Sequence, residues 1–375
     1  MKEAELATPV YIVDEAKLIK NLEILHKVEV DTGCHILLAQ KAFSMFRVYP
    51  LIKKYISGAT ASGLYEARLA YEEMGGENHV FSPAYTESEM SELVRICDHI
   101  SFNSLRQLDA HRKIWEASNA SVGLRINPEF STQEGHEIYD PCAPGSRLGI
   151  RLCDMPEHLP EGVEGIHFHT LCEQGAEPLA ETVKAVEEKF SIYLKEAKWI
   201  NLGGGHHISK AGYNIELLEK TIKHLAETYD LEVYLEPGEA IALDAGYLRT
   251  KVMDIVHNTI PILILDASAA CHMPDVLEMP YRPPLKGSGA PGEKQYTCRL
   301  ASRTCLAGDV IGDYSFDKMP EIGDTLTFED MAIYSMVKNN TFNGMPLPDI
   351  ALLHEDGSFE TVKHFGYADF KERLS

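Results

Sequence analysis

The sequence predicts an α/β protein, a (β/α)8 barrel of the TIM type followed by an all-β domain of barrel or sandwich form. From residue 35 to 238, short apolar runs rich in β-formers alternate with amphipathic stretches, the pattern of repeated βα units. After Gly246 the texture changes to short strands broken by Gly and Pro.

Within the first region the apolar runs place strands at 35–40, 58–61, 79–83, 99–103, 121–126, 164–170, 199–203 and 232–236. Eight parallel strands are the number that closes a barrel. The stretch 87–94 reads as a helix, because Met90, Leu93 and Val94 share a face and acids fill the first turn. Longer amphipathic helices are expected at 176–197 and 214–229. The interval 129–160 differs, with Gly135, Pro141, Pro144 and Gly145 among few apolar residues. A loop of that length is a candidate cover for an active site. Beyond the barrel, strands are expected at 248–256, 260–265, 295–300, 324–328 and 359–362. The opening run 8–13 is also strand-like and precedes a helix at 14–28, so it is expected to pair into the second domain. The domains are therefore 22–246 for the barrel, and 1–21 with 247–375 for the β domain.

The 375 residues suffice for two well-formed cores, and 45% apolar with 25% charged residues is a globular composition. The formal charge of −22 disfavours nucleic acid and anionic membranes and suits a cationic small molecule. Eight cysteines without a Cys-x-x-Cys pair read as reduced thiols. With no apolar run of membrane-spanning length and a charged start, the expectation is a cytoplasmic protein.

Catalytic groups of a βα barrel come from the C-terminal strand ends, where this assignment places Lys41, Ser62, Arg125, His169, Gly203, Gly204, Gly205 and Glu236. The glycines lack Cβ atoms, so their N–H groups can approach phosphate oxygens. Glu236, ahead of Pro237 and Gly238, offers a carboxylate that keeps a pyridine nitrogen protonated. Lys41 follows an apolar strand, where desolvation favours Schiff-base chemistry. Phosphate site, carboxylate and amine together suit pyridoxal 5'-phosphate. His167 and His169 share a face of one strand; without further ligands at the strand ends, stacking of His169 on a cofactor ring fits better than zinc. His206 and His207 read as surface or loop residues. In the β domain, Cys305 is a candidate proton donor and Asp309 a candidate partner for a substrate ammonium. Tyr334 reads either as a core tyrosine or as a phosphate ligand.

These stretches resemble the alanine-racemase-like pyridoxal-phosphate enzymes, specifically the decarboxylase branch with ornithine and diaminopimelate decarboxylases, over nearly the whole chain. The resemblance implies that Lys41 carries the cofactor as a Schiff base, that His169 stacks on its ring and that Glu236 pairs the ring nitrogen. It further implies that Ser62, Gly203–Gly205, Gly238 and Tyr334 help to hold the cofactor. Cys305 and Asp309 would reach across a homodimer into the partner's site. The segments 167–173, 236–240 and 270–283 are similar to the carboxynorspermidine decarboxylases, which act on carboxynorspermidine and often carboxyspermidine to make norspermidine and spermidine. The resemblance makes Asp309, Glu239, His272, Asp275 and Arg147 the substrate-binding candidates, with Glu278 beside Asp275.

Departures from the diaminopimelate pattern support that branch. His169-Thr170-Leu171-Cys172 stands where those enzymes have His-Ile-Gly-Ser, and Glu239 replaces the arginine after Glu-Pro-Gly. The alternatives are a diaminopimelate or other basic amino-acid decarboxylase and, from another class, a non-catalytic relative; a zinc hydrolase is more distant.

Overall fold

In the computed structural model, which describes residues 2–133 and 137–375, the chain opens with strand β1 (Val10–Asp14) and the helix Glu15–Thr32. Its residues divide into two compact units, Asn21–Ile241, and Met1–Lys20 with Ala242–Ser375.

The first unit is a closed parallel barrel. Its strands are β2 (His35–Ala39), β3 (Gly58–Ala61), β4 (Glu77–Ser82), β5 (His99–Phe102) and β6 (Ser121–Asn127), then, past a two-residue β7 (Ile150–Arg151), β8 (Val163–His167), β9 (Trp199–Asn201) and β10 (Glu232–Leu235). Each pairs in parallel with its neighbour, β5 with β6, β6 with β8 and β10 back with β2, so eight strands close without an edge, while β7 pairs with β6. Closure explains why these runs read as continuously apolar: both faces are covered, and β3 and β9 are buried at every position.

The helices follow from local chemistry. Glu87–Ile96 begins with a capping box, in which the Glu89 N–H donates to Thr86 Oγ1 at 3.3 Å and the Thr86 N–H to Glu89 Oε2 at 2.8 Å. Ala176–Glu196 and Ile215–Tyr229 bury one apolar face each. Small residues then make room for large ones inside the barrel. A Cβ on Gly123 or Gly165 would lie 2.3 or 2.0 Å from the Trp199 ring, so the two glycines create the space that the indole fills. Trp199 stacks on His99 at 4.7 Å, and Tyr234 on His35 at 4.9 Å.

The 129–160 interval lacks a long element but is not featureless, holding β7 and short helical turns at Glu137–Tyr139 and Leu152–Asp154. Gly135, assigned to this loop from the sequence, lies outside the described residues.

The second unit is a mixed sheet in the order β14-β13-β12-β11-β1-β16-β17, with β15 also on β11. Its later strands are β11 (Gly246–Asn258), β12 (Ile260–Leu265), β13 (Tyr296–Ser302), β14 (Val310–Phe316), β15 (Thr325–Glu329), β16 (Asp349–Leu353) and β17 (Phe359–Lys363). As expected, the opening strand joins it, antiparallel to β11 and parallel to β16. Strands β14 and β16 are additions to the sequence reading. Tyr11, Leu248, Leu263, Leu300, Tyr314 and Phe328 lie in its core.

Candidate active site

At the C-terminal strand ends of the barrel, a cavity is lined by Ala39, Lys41, Thr60, Ala61, Ser62, Phe81, Arg125, His167, His169 and Glu236. Lys41 stands two residues past β2, and the Ala39 N–H donates to Pro237 O at 3.1 Å, tying its turn to the Glu-Pro-Gly segment after β10. Reaching into the cavity, Lys41 keeps accessible surface although protein surrounds it. Burial lowers its pKa below the ordinary lysine range against the pull of the Glu236 carboxylate.

Glu236 is the opposite pole. Asn201 Nδ2 donates to its Oε1 at 2.7 Å, and His167 Nε2 stands 3.6 Å from Oε2. Burial works against its charge, but the His167 ring and the hydrogen bonds from Asn201 and Thr60 outweigh that and hold the carboxyl below its usual range. His167 is itself neutral, pushed down to about 4 by burial. Arg125, 5% exposed, lies 4.4 Å over the Phe81 ring and donates to His169 O at 3.2 Å. Burial drops its guanidinium to about 10.

The glycine loop joins these groups. The Gly204 N–H donates to His169 Nδ1 at 2.8 Å, fixing the ring at the mouth of the barrel, and burial with the Lys41 and Arg125 charges holds that imidazole well below its ordinary pKa. The Gly203 N–H donates to Asn201 Oδ1 at 2.8 Å, and the Glu236 N–H to Gly203 O at 2.8 Å, so glycine loop and carboxylate are one connected unit. Gly203 has φ +69°, and a Cβ there would meet Phe168 O at 2.5 Å. Gly238 packs its backbone on the end of β2, where a Cβ would come 2.5 Å from that of Ala42. The exposed Ser62 donates its N–H to Glu66 Oε2 at 2.6 Å.

One expectation is corrected. His206 and His207 are 1% and 7% exposed rather than surface residues, because the glycine turn folds back and bridges His206 to Gln174. His206 Nε2 donates to Gly203 O at 3.0 Å, and His207 Nε2 lies 2.5 Å from Glu239 Oε2, giving that carboxylate a partner within its own unit. Arg147 is exposed in the 129–160 interval, its carbonyl accepting from Asn103 Nδ2 at 2.8 Å and its charge facing Arg125. The histidines of the barrel floor, His35, His79 and His99, were not singled out from the sequence; the available signal was one histidine at or near the start of each of β2, β4 and β5.

The sheet unit carries the remaining candidates. Asp309, 3% exposed, accepts from Ser268 Oγ and Thr304 Oγ1, both at 2.6 Å, and from the Ala270 N–H at 3.1 Å. The turn couples Asp309 to Thr304, while the Cys305 thiol is exposed and its N–H donates to Asn343 Oδ1 at 2.6 Å. His272 is fully buried: its Nδ1 accepts from the Ser268 N–H at 3.2 Å, its Nε2 donates to Pro346 O at 3.1 Å, and burial takes it to about 4. Asp275 and Glu278 both bind Lys338. Tyr334 is half-buried at φ +58°.

A strand-end amine with lowered basicity, a carboxylate held anionic and a glycine cradle too tight for a Cβ fit a phosphorylated pyridine aldehyde. Among the described residues no three His, Cys, Asp or Glu side chains come together as a metal site.

Residues 10–332 match the family model described as pyridoxal-dependent decarboxylase, C-terminal sheet domain. A carboxynorspermidine/carboxyspermidine decarboxylase of Campylobacter jejuni is 41% identical, the alignment covering 98% of this chain and 99% of the relative. A carboxyaminopropylagmatine decarboxylase of Synechocystis is 39% identical over 99% of this chain and 96% of the relative. The crystal structure of carboxynorspermidine decarboxylase from Campylobacter jejuni, complexed with norspermidine, superposes with a TM-score of 0.91 at 40% identity, covering 98% of this chain and 100% of that one. Diaminopimelate decarboxylases stand further off, that of Methanocaldococcus jannaschii at 24% identity.

Proposed function

The chain belongs to the pyridoxal-dependent decarboxylase family, and from that premise we propose that it decarboxylates carboxynorspermidine and carboxyspermidine, yielding norspermidine and spermidine. The reading is carried by the pairing of Lys41 and Glu236 across one barrel mouth, a weakly basic amine facing a carboxylate held anionic.

Bound there, pyridoxal 5'-phosphate supplies an electron sink for the pair left when carbon dioxide departs. Lys41 would hold its aldehyde carbon, and Glu236 would face its ring nitrogen. His169, braced by the Gly204 N–H, presents a neutral ring to stack without adding charge. Gly203–Gly205, Gly238, Ser62 and Tyr334 would hold the phosphate. The Cys305 thiol, exposed in its own unit, would return a proton to the substrate Cα from a second copy of the chain, so a homodimer with shared sites is part of the reading. Asp309, oriented by three donors, would receive a substrate ammonium, with Glu239, Asp275, His272 and Arg147 shaping the remainder of that subsite. The net charge of −22 supports a polycationic substrate. A cytoplasmic setting is supported by the eight free thiols. No helix among the described residues is long and apolar enough to cross a membrane.

A second reading, favoured by the Synechocystis relative, is a carboxyaminopropylagmatine substrate, whose guanidinium tail replaces an ammonium. Glu239 stands against a diaminopimelate substrate, because a carboxylate at that position repels the second carboxylate. Glu236→Ala tests the chemistry: turnover should fall by about a hundredfold or more, while cofactor absorbance persists. Near-normal turnover would reject the role given to Glu236.

A further inference from the structure

Next to Glu236 the barrel holds a buried imidazole to which the reaction described so far gives no task. His167 ends β8, level with Arg125 of β6 and Asn201 of β9, and is 2% exposed. Neither of its ring nitrogens has a hydrogen-bond partner among the described residues. Phe81 meets the ring edge-on at 5.4 Å, so one side is closed by an apolar wall. The charged and titratable groups facing it are Glu236, Arg125, Lys41 and His79. Of these the Glu236 carboxylate is the anionic acceptor, and its Oε2 lies 3.6 Å from Nε2. The separation of 3.6 Å is longer than a hydrogen bond, but closing it takes less than an ångström of movement. Asn201 already donates to Oε1 and Thr60 also bonds the carboxylate, so His167, facing Oε2, stands as a further donor beside them.

Resting on the reading of Glu236 as the carboxylate that meets the ring nitrogen, we propose that His167 is a positioning residue. In the loaded protein its Nε2–H donates to Glu236 Oε2 and, with Asn201 and Thr60, holds the carboxylate in place. Buried polar groups are nearly always partnered, and donors to a carboxylate favour its charged form. Because burial keeps His167 neutral, it gives a hydrogen bond without a positive charge that would oppose protonation of the ring nitrogen. Arg125 and Lys41 also face Glu236, but they lie at the mouth and carry charge.

The test is equilibrium binding of pyridoxal phosphate, and of its analogue with the ring nitrogen replaced by C–H, to cofactor-free wild-type, Glu236→Gln, His167→Phe and His167→Gln protein. Wild type should prefer the natural cofactor. Glu236→Gln should lose that preference, His167→Phe should lower it by about tenfold, the worth of one hydrogen bond to a charged group, and His167→Gln, which retains an N–H, should restore part of it. An unchanged preference in His167→Phe beside a lost one in Glu236→Gln would overturn the His167 assignment alone. An unchanged preference in Glu236→Gln would overturn the Glu236 reading and this inference with it. A readout that needs no variant is the 15N spectrum of His167 in the loaded wild-type protein: the Nε2–H tautomer supports the proposal, and the Nδ1–H tautomer overturns it.

Discussion

Lys41 illustrates how position sets reactivity at the scale of one residue. Only the neutral amine attacks an aldehyde, so a lowered pKa moves the rising limb of cofactor incorporation to lower pH. Followed by absorbance, incorporation should have a midpoint below the usual lysine value of about 10.4. Because Glu236 pulls that pKa upward, Glu236→Gln should shift the midpoint further down. A midpoint at the ordinary value in both proteins would contradict the placement of Lys41. Lys41 and Glu236 were legible because each closes an apolar strand run with a lone ionisable group. The histidines after the glycines were not: nothing in Gly203-Gly204-Gly205-His206-His207 says that the turn folds inward. Nor does the sequence disclose that Lys338 binds Asp275 and Glu278, since their ion pairs span 63 and 60 residues.

At the scale of elements, the glycine loop is held by its contacts with β8 and β10. A Cβ on Gly204 would sit 2.2 Å from Glu236 O, so Gly204→Ala must displace the loop and with it the N–H that holds His169. Affinity for pyridoxal phosphate should fall about tenfold or more, roughly the 1.4 kcal/mol of a lost hydrogen bond. Unchanged affinity would show that the loop takes no part in holding the cofactor. The barrel strands were readable because closure buries both faces and leaves β-rich runs between amphipathic helices. β14 was not, since Val310-Ile311-Gly312-Asp313-Tyr314-Ser315-Phe316 interrupts its alternation with Gly and Asp. β16 was hidden for another reason: its five residues follow Pro346 and Pro348, where a sequence reads as loop.

For the whole molecule, charge and buried histidines make two further predictions. A net charge of −22 draws polycations by long-range attraction that salt screens, so kcat/KM for a polyamine substrate should fall as ionic strength rises from 0.01 to 0.15 M, roughly the range over which the screening length shrinks from 30 to 8 Å. An uncharged competitor ligand should show no such trend. Burial holds His99 at about 3, and His167, His206 and His272 at about 4. Unfolding frees them to take protons below about 6.5, so the unfolded state binds more protons and stability falls as pH drops from 6.5 toward 4. His35, raised mainly by Glu77, and His158, raised mainly by Glu196, act in the opposite direction, two rings against five once His169 is counted. The thermal midpoint should therefore decline steeply across that window, and a flat profile would contradict the burial of these rings.

The most direct measurement is to load the purified protein with pyridoxal phosphate and identify by mass the products from carboxynorspermidine, carboxyspermidine, carboxyaminopropylagmatine and meso-diaminopimelate in parallel. Norspermidine and spermidine without lysine are the predicted result; lysine as the sole product would contradict the account, and with it the meaning given to Glu239.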